Sequence, residues 1–198
     1  AFDRTTLQLN GLTELSDGAA IALAKHKGDL HLNGLATLSE KAAKALAIHG
    51  GDHLYLNGLS TLSDTTAKAL AKRSRRLHLN GLAELPNEVA EALGNGIAGL
   101  ELNGLTTLSV SAAEALAKGS SLQLNGLTTL SDEAAKALAT QDGFLLLDGL
   151  ATLSDEAAKA LAKHRLPLSL NGLATLSDEA VAELRENPRI VLPEKFRE

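Results

Sequence analysis

The chain has 198 residues, a formal net charge of −5, three Phe, one Tyr, no Trp and no cysteine. The lack of cysteine excludes disulfides, thiolate metal ligands and cysteine nucleophiles. A mixed, mildly acidic surface with few aromatic residues provides neither the basic field nor the stacking platform of a nucleic-acid-binding protein.

The sequence also favours a soluble protein. No apolar run approaches the length of a membrane span, so we expect no membrane insertion. No signal-peptide pattern opens the chain, but it does not begin with Met, and we expect either a cytoplasmic protein or one secreted after removal of a leader.

One motif of about 23 residues recurs along almost the whole chain. Its fullest form, at 145–162, reads Leu-Leu-Leu-Asp-Gly-Leu-Ala-Thr-Leu-Ser-Asp-Glu-Ala-Ala-Lys-Ala-Leu-Ala. A landmark Asn, or Asp in the seventh repeat, returns every 22–24 residues, at Asn10, Asn33, Asn57, Asn80, Asn103, Asn125, Asp148 and Asn171. A fixed period in this range indicates a solenoid of stacked coils, in which each coil buries its apolar side against its neighbours.

Each repeat divides into two halves. The segment Leu-x-Leu alternates with period two, which predicts a very short strand with both leucines facing inward. The segment that begins Leu-Ser-Asp-Glu has helical spacing, with Ser as the N-cap and acidic residues in the first turn, where they act as caps rather than as general acids. The Asn-Gly pair between the halves predicts a turn, because Gly adopts positive φ freely.

In chain order, Ala1–Thr6 precedes the first strand and contains no evident capping helix. The first strand edge is therefore expected to be exposed, so that self-association through it is possible. Coils start near residues 7, 30, 54, 77, 100, 122, 145 and 168, and 190–198 reads as a terminal strand followed by a charged cap. The fourth coil departs from the pattern, with Pro86 in place of the capping Ser. We expect a single domain over 1–198.

The Leu-x-Leu-Asn-Gly-Leu repeats resemble those of leucine-rich-repeat proteins, and the Ala-rich helical half resembles bacterial members of that family. The resemblance covers roughly Leu7 to Leu192. It implies a right-handed, curved α/β solenoid with strands on the concave side and helices on the convex side. It also implies protein binding by the concave face.

One departure from the family pattern leaves two alternatives. The repeated Asn follows the second strand leucine immediately, whereas the family places its Asn three positions after that leucine. The Asn side chain either lies in the turn and bonds loop backbone between coils, or projects from the concave face as an exposed amide ladder.

Outward strand positions vary while the framework does not, as expected for an adaptable binding surface on a fixed scaffold. Two clusters are candidate contact sites. The first combines polar and aromatic residues on three adjacent coils: His31, His53, Tyr55, Arg76 and His78. The second is an apolar patch: Phe144, Leu146, Leu166 and Pro167. A solvated sheet face is the alternative for the first cluster, and local burial is the alternative for the second.

Other polar residues have plainer interpretations. His26, His49 and His164 fall at helix ends, where a cation complements the helix dipole. Arg73, Arg75 and Arg76 are expected in a solvated loop.

No catalytic motif is present, and we expect no cofactor and no metal. The favoured function is a non-enzymatic scaffold that binds a protein or peptide. A self-assembling structural element is the second hypothesis, and a metal-dependent enzyme using His31, His53 and His78 is a remote third.

Overall fold

The computed structural model describes residues 5–197, which alternate short strands and short helices. The strands are β1 (Leu7–Gln8), β2 (Leu30–His31), β3 (His53–Tyr55), β4 (Arg76–His78), β5 (Gly99–Glu101), β6 (Ser121–Gln123), β7 (Leu145–Leu146), β8 (Leu168–Ser169) and β9 (Ile190–Val191). The helices are α1 (Asp17–Leu23), α2 (Glu40–Ala47), α3 (Asp64–Leu70), α4 (Asn87–Leu93), α5 (Val110–Leu116), α6 (Asp132–Leu138), α7 (Asp155–Leu161) and α8 (Asp178–Arg185), and a short 3-10 helix, Glu194–Phe196, follows β9.

The described strands form one open parallel sheet in sequential order from β1 to β9, with the helices on the other side of the core. Each strand pairs with the next in the register that the repeats predict, for example Leu77 with Leu100 and Leu100 with Leu122. The predicted α/β solenoid and its terminal strand are therefore confirmed. Because adjacent strands lie about 4.8 Å apart whereas packed helices need about 8–10 Å, the sheet lies on the concave side and the helices on the convex side.

Leucine and alanine fill the space between the two layers. In coils two to eight, both strand leucines and the leucine after the Asn-Gly turn are buried, as Leu54, Leu56 and Leu59 show in the third coil. Small helix residues such as Ala67 are also fully buried. Neighbouring helices can thus approach one another closely, which suits a sheet whose strands stack about 4.8 Å apart.

Serine caps tie all but one of the described α-helices to their own first turns, and four of these serines also bond to the previous coil. Ser39 Oγ accepts a hydrogen bond from the Ala42 backbone N–H at 3.0 Å and donates one to Asp17 Oδ1 at 2.6 Å. Six other serines cap their helices in the same way, at Ser16, Ser63, Ser109, Ser131, Ser154 and Ser177. Pro86, the predicted exception, makes no side-chain cap bond to the described residues. Acidic first-turn residues are therefore structural, as expected.

The repeated Asn lies in the turn, which decides between the two alternatives left open by the sequence. Asn80 N–H donates to Asn57 Oδ1 at 3.0 Å, and Asn103 N–H donates to Asn80 Oδ1 at 2.9 Å. The same bond joins every pair of consecutive coils from Asn10 to Asn171, with Asp148 taking the place of Asn once. Each of these side chains from Asn10 to Asp148 therefore accepts a hydrogen bond from a backbone donor of the following coil, and within residues 5–197 they form no exposed amide ladder on the concave face.

The turn glycines are needed for close backbone packing rather than for the positive φ that the sequence predicted. Within residues 5–197, only Gly96 has positive φ, so conformational freedom does not explain the turn glycines. A Cβ at Gly81 would instead come within 2.1 Å of the Asn57 carbonyl oxygen, and one at Gly126 within 2.1 Å of that of Asn103. Glycine is required because consecutive turns stack backbone on backbone.

A column of equivalent positions also runs through the return loops, three residues after the last leucine of each helix, and six of its eight members are polar. Its members are His26, His49, Arg73, Gly96, Gly119, Gln141, His164 and Asn187. Asn187 Nδ2 donates to the carbonyl oxygens of Ala162 and His164 at 2.8 and 2.7 Å, in the manner of the turn ladder. The prediction that the loop histidines are helix-end cations is therefore wrong for His49, because burial lowers its pKa to about 4. His164 is also buried, with its ring nitrogens close to the backbone oxygens of Ala139 and Gly143.

Arg73 also departs from the prediction of a solvated basic loop. It is buried, and its guanidinium donates to three backbone oxygens, those of Arg76, His49 and Gly51, at 3.0, 3.1 and 2.7 Å. Burial, helped by the charge of Arg75, lowers the pKa of Arg73 to about 10. The side chain therefore stays charged at neutral pH and holds two successive return loops together.

His49 predicts a measurable loss of stability in acid. Burial, with the charges of Arg73 and His26, lowers its pKa to about 4, and within residues 5–197 neither ring nitrogen makes an aligned hydrogen bond, so that the nearby Gly28 carbonyl offsets little. Because the unfolded chain takes up this proton near pH 6.5 and the folded chain does not, the stabilisation is complete above pH 6.5. It is lost progressively as the pH falls toward 4, by about 3 kcal/mol in total.

Urea unfolding at pH 7 and pH 4.5 tests this expectation. His49→Gln, which introduces the residue found at the same column position in Gln141, should lose about 2 kcal/mol less than the parent between the two pH values. The exposed neighbour Ile48 is the control, and Ile48→Gln should keep the parent's pH dependence. Equal pH dependence in the parent and in His49→Gln would show that His49 is not held neutral.

We expect the chain to lack a capping helix before β1 and to expose the edge of that strand. This expectation rests partly on residues 1–4, which lie outside the described part of the chain. From residue 5 onward, β1 is the first strand of the sheet. Between residues 5 and 197 the helices are all too short, or too polar, to cross a lipid bilayer.

Candidate partner-binding surface

The outward strand residues form two straight rows, as the strand register requires. The central row contains Gln8, His31, Tyr55, His78, Glu101, Gln123, Leu146, Ser169 and Val191. The flanking row, one pleat earlier, aligns His53, Arg76, Gly99 and Ser121, and Phe144 and Pro167 occupy the corresponding positions before β7 and β8. All five residues of the first predicted cluster therefore lie on one surface.

The centre of this surface is a continuous stack of rings. The Tyr55 ring lies between the His31 ring, at 3.9 Å between centroids, and the His78 ring, at 3.8 Å, with interplanar angles of 14° and 17°. Hydrogen-bonded strands are about 4.8 Å apart, which is close to the spacing at which flat side chains stack. Identical register on three neighbouring strands is thus sufficient to build the stack.

A chain of polar contacts extends from the stack. His53 Nδ1 and His78 Nε2 are 2.8 Å apart, so one of these ring nitrogens donates to the other. His78 Nδ1 lies 2.7 Å from Glu101 Oε2, a close polar contact that lacks the alignment of a hydrogen bond. Asn80 Nδ2 also donates to Glu101, at 3.4 Å. Glu101 was not among the predicted site residues, although its place one repeat after His78 could have indicated it.

Burial and neighbouring charges set the ionisation of these groups. Burial lowers the pKa of His53, and the charges of His78 and Arg76 add to this effect against the opposing carboxylate of Asp29. Burial and the Asp29 and Glu101 carboxylates raise the pKa of Tyr55. Burial alone would raise the pKa of Glu101, but the contacts with His78 and Asn80 outweigh it and lower the pKa. At neutral pH the surface therefore carries a neutral His53, an un-ionised Tyr55 and an anionic Glu101.

The five predicted residues differ in accessibility. His31, His53 and Tyr55 are half-buried and Arg76 is exposed, so a partner can touch them. His78 is only 3% exposed, because the Tyr55 ring and the Glu101 and His53 side chains surround it. The expectation that His78 is an accessible contact is therefore wrong, and its position supports the stack from within.

The second predicted cluster is partly assembled. Phe144, Leu146 and Pro167 line a pocket of about 380 Å³, together with Arg76 and Val191. The pocket lies on the outer strand face, which is the concave face of the sheet that points away from the core. Phe144 is 52% exposed and Leu146 is half-buried. Leu166 is exposed next to Pro167 and lies outside the pocket lining, so its part in the predicted apolar patch stays a prediction.

The remote metal hypothesis gains no geometric support. Across the described residues, no three His, Asp or Glu side chains are arranged to hold a metal ion. His53 and His78 direct ring nitrogens at each other.

The stacked repeats, the single parallel sheet and the inward leucines define a leucine-rich-repeat solenoid. Comparison with solved structures agrees. A chain in the structure of the Toll–Spätzle complex of Drosophila aligns with 85% of this chain at 13% identity and a TM-score of 0.58. The aligned region is 24% of that chain, so this protein spans about a quarter of its length.

Internalin C2 from Listeria monocytogenes aligns with 90% of this chain and 83% of its own, at 17% identity and a TM-score of 0.44. No protein-family model and no curated protein sequence matches the chain. These similarities describe the fold alone.

Proposed function

We propose that this chain is a non-enzymatic scaffold that binds a protein or peptide through its outer strand face. The observation that supports the proposal most strongly is the ring stack of His31, Tyr55 and His78 with exposed Arg76 beside it. Tyr and Arg are enriched among residues that contribute most binding energy at interfaces. The proposal assigns no catalytic residue, cofactor or metal, and it treats residues 1–198 as one domain.

Pre-ordering of the stack favours this use. A side chain that is already fixed loses little conformational entropy when a partner binds, and each immobilised side chain otherwise costs about 0.5–1.5 kcal/mol. The Tyr55 ring packs against the His31 ring on β2 and against the His53 ring on its own strand. Because the pKa of Tyr55 is raised, its hydroxyl keeps its proton and can donate a hydrogen bond. The face therefore combines rigid apolar area with hydrogen-bonding groups.

The double variant His31→Gln, Tyr55→Gln tests the proposal. Glutamine occupies the same row at Gln8 and Gln123, so the framework should tolerate it. We expect capture of a partner from an extract of the source organism to fall at least about tenfold, because two central contacts are lost. His78 is left unchanged because it is buried.

The matched control places the same number of changes on the convex side, with Lys136→Gln and Lys159→Gln. Both lysines are exposed on neighbouring helices, and the control should keep full capture. Melting temperatures of both double variants establish that the proteins remain folded. Undiminished capture by a folded His31→Gln, Tyr55→Gln protein would refute the use of this face.

Self-assembly is a second candidate, supported by a difference between the two ends of the sheet. At the far end, the 3-10 helix follows β9, and Lys195 Nζ and Arg197 Nε donate to the Ala174 and Leu192 carbonyl oxygens. At the near end, α1 leaves Ile21 57% exposed at a helix position that carries charged side chains in most other coils. Sedimentation over a hundredfold concentration range separates the two functions, because a monomer throughout would contradict assembly.

A further inference from the structure

We infer that the pocket at the C-terminal half of the outer strand face binds an apolar side chain of a partner segment that also carries a carboxylate, which Arg76 receives. This inference deepens the proposed function and rests on it. It names the chemistry of the partner: an acidic peptide segment in which Asp or Glu flanks a large apolar residue.

The first observation is the way in which Arg76 reaches the pocket. Arg76 pairs in register with Gly99 on β5, and a Cβ at Gly99 would come within 3.0 Å of Arg76 Cγ and 3.5 Å of its Cδ and Nε. The aliphatic part of Arg76 therefore lies across the neighbouring strand, in space that any other residue at position 99 would occupy. This placement makes Arg76 part of the pocket lining.

The second observation concerns charge. Glu101 also lines the pocket, but its carboxylate already contacts His78 and Asn80 on the β4 side. Within residues 5–197 the guanidinium of Arg76 makes no hydrogen bond or ion pair with another side chain, whereas neighbouring Arg75 pairs with Asp52. The charge that is available to a ligand is therefore positive. A carboxylate complements it, and a guanidinium binds a carboxylate with two parallel hydrogen bonds.

The third observation is the apolar end of the pocket. Leu146 lines it from β7, and Phe144 and Pro167 line it from the positions just before β7 and β8. The pocket volume of about 380 Å³ is sufficient for an aromatic or branched side chain. Three strand spacings, about 14 Å, separate β4 from β7, and the Arg76 side chain crosses part of that distance. An apolar residue and a neighbouring acidic residue span the remainder in a short peptide whose backbone is free to turn both side chains toward the face.

The probes for the test are two blocked tripeptides, acetyl-Glu-Phe-Glu-amide and acetyl-Gln-Phe-Gln-amide, which differ only in charge. They are titrated into the full chain while the backbone amide signals of Gly99, Ser121 and Val191 are followed by NMR. We expect the Glu peptide to shift these signals and to bind about fivefold more tightly than the Gln peptide.

Two variants assign the effect of charge, and a third tests the apolar end. Arg76→Gln should remove the preference for the Glu peptide, while Arg75→Gln, one residue away, should keep it. Leu146→Gln, which places in the row the residue already present at Gln123, should weaken binding of both peptides. Equal affinity of the two peptides for the parent, or no shift of the pocket signals with either peptide, would overturn the inference.

The result is separable from the test of the proposed function. If the tripeptides fail while His31→Gln, Tyr55→Gln still abolishes capture, the partner uses the ring stack and the pocket inference alone is wrong. If the tripeptides bind as expected but capture is insensitive to the ring stack, the pocket stands as a ligand site and the proposed use of the stack falls.

Discussion

Gly104→Ala is expected to destabilise the protein by about 3 kcal/mol or more, because the added methyl group has no space. Its Cβ would come within 2.3 Å of the Asn80 carbonyl oxygen and within 2.7 Å of that of Leu82. Both obstacles are backbone atoms of the preceding coil, so relief requires the two coils to separate. Separation would also lengthen the hydrogen bond from Asn103 N–H to Asn80 Oδ1.

The first coil provides the control for this prediction. Gly11 occupies the same turn position, but within the described part of the chain nothing lies within 4 Å of a Cβ built there. Gly11→Ala should therefore change stability by less than about 0.5 kcal/mol. The measurement is urea unfolding followed by circular dichroism, and the Gly104→Ala transition should also broaden, because a break in mid-array uncouples the two halves. Similar effects of the two substitutions would show that glycine is needed for local conformation rather than for stacking.

Leu102→Ala carries the second large expected effect. Leu102 is fully buried in the middle of the array, so its truncation should cost about 2–5 kcal/mol through lost burial and the cavity left behind. Thr107 is exposed in the same coil, and Thr107→Ala should change stability by no more than about 0.5 kcal/mol. Melting temperatures of the two variants test the assignment of inward and outward faces.

A second leucine sharpens that comparison. Leu146 lies in the outward row and is half-buried, so Leu146→Ala should cost clearly less than Leu102→Ala although the same atoms are removed. Equal melting temperatures for Leu102→Ala and Thr107→Ala would contradict the facing assignment, and Leu146→Ala as harmful as Leu102→Ala would place Leu146 in the core.

The architecture was predictable because one pattern repeats eight times. Period-two leucines, Ser caps and a fixed repeat length specify strand, helix and register at once, and the structure confirms the solenoid and the alignment of Gln8, His31, Tyr55 and His78. The position of the Asn side chain was not predictable. The departure from the family pattern was visible, but only coordinates show which backbone donor lies opposite the amide.

The details of the candidate site were less accessible to sequence reasoning for a physical reason. Burial of His78 depends on ring stacking with Tyr55 and on the contact with Glu101, which involve three different coils. Gly99 matters because it has no side chain and so leaves space for Arg76, and no sequence motif indicates this. The return-loop column was missed because its members differ chemically, from His49 to Arg73 to Gln141, and share only a position. Contributions of the predicted site residues to binding remain predictions.

Because consecutive turns are joined in the same way throughout, the array fixes the distance between any two coils by the number of coils between them. Since every junction from Asn10 to Asn171 uses the same hydrogen bond from a backbone N–H to a side-chain Oδ1, excision of one whole unit between two such junctions would leave a new junction with the old geometry. The ring stack and Phe144, at the apolar end of the pocket, would then move closer by about 4.8 Å per unit removed between them. Spacing between recognition elements is thus set in discrete steps, independently of the chemistry that each element displays.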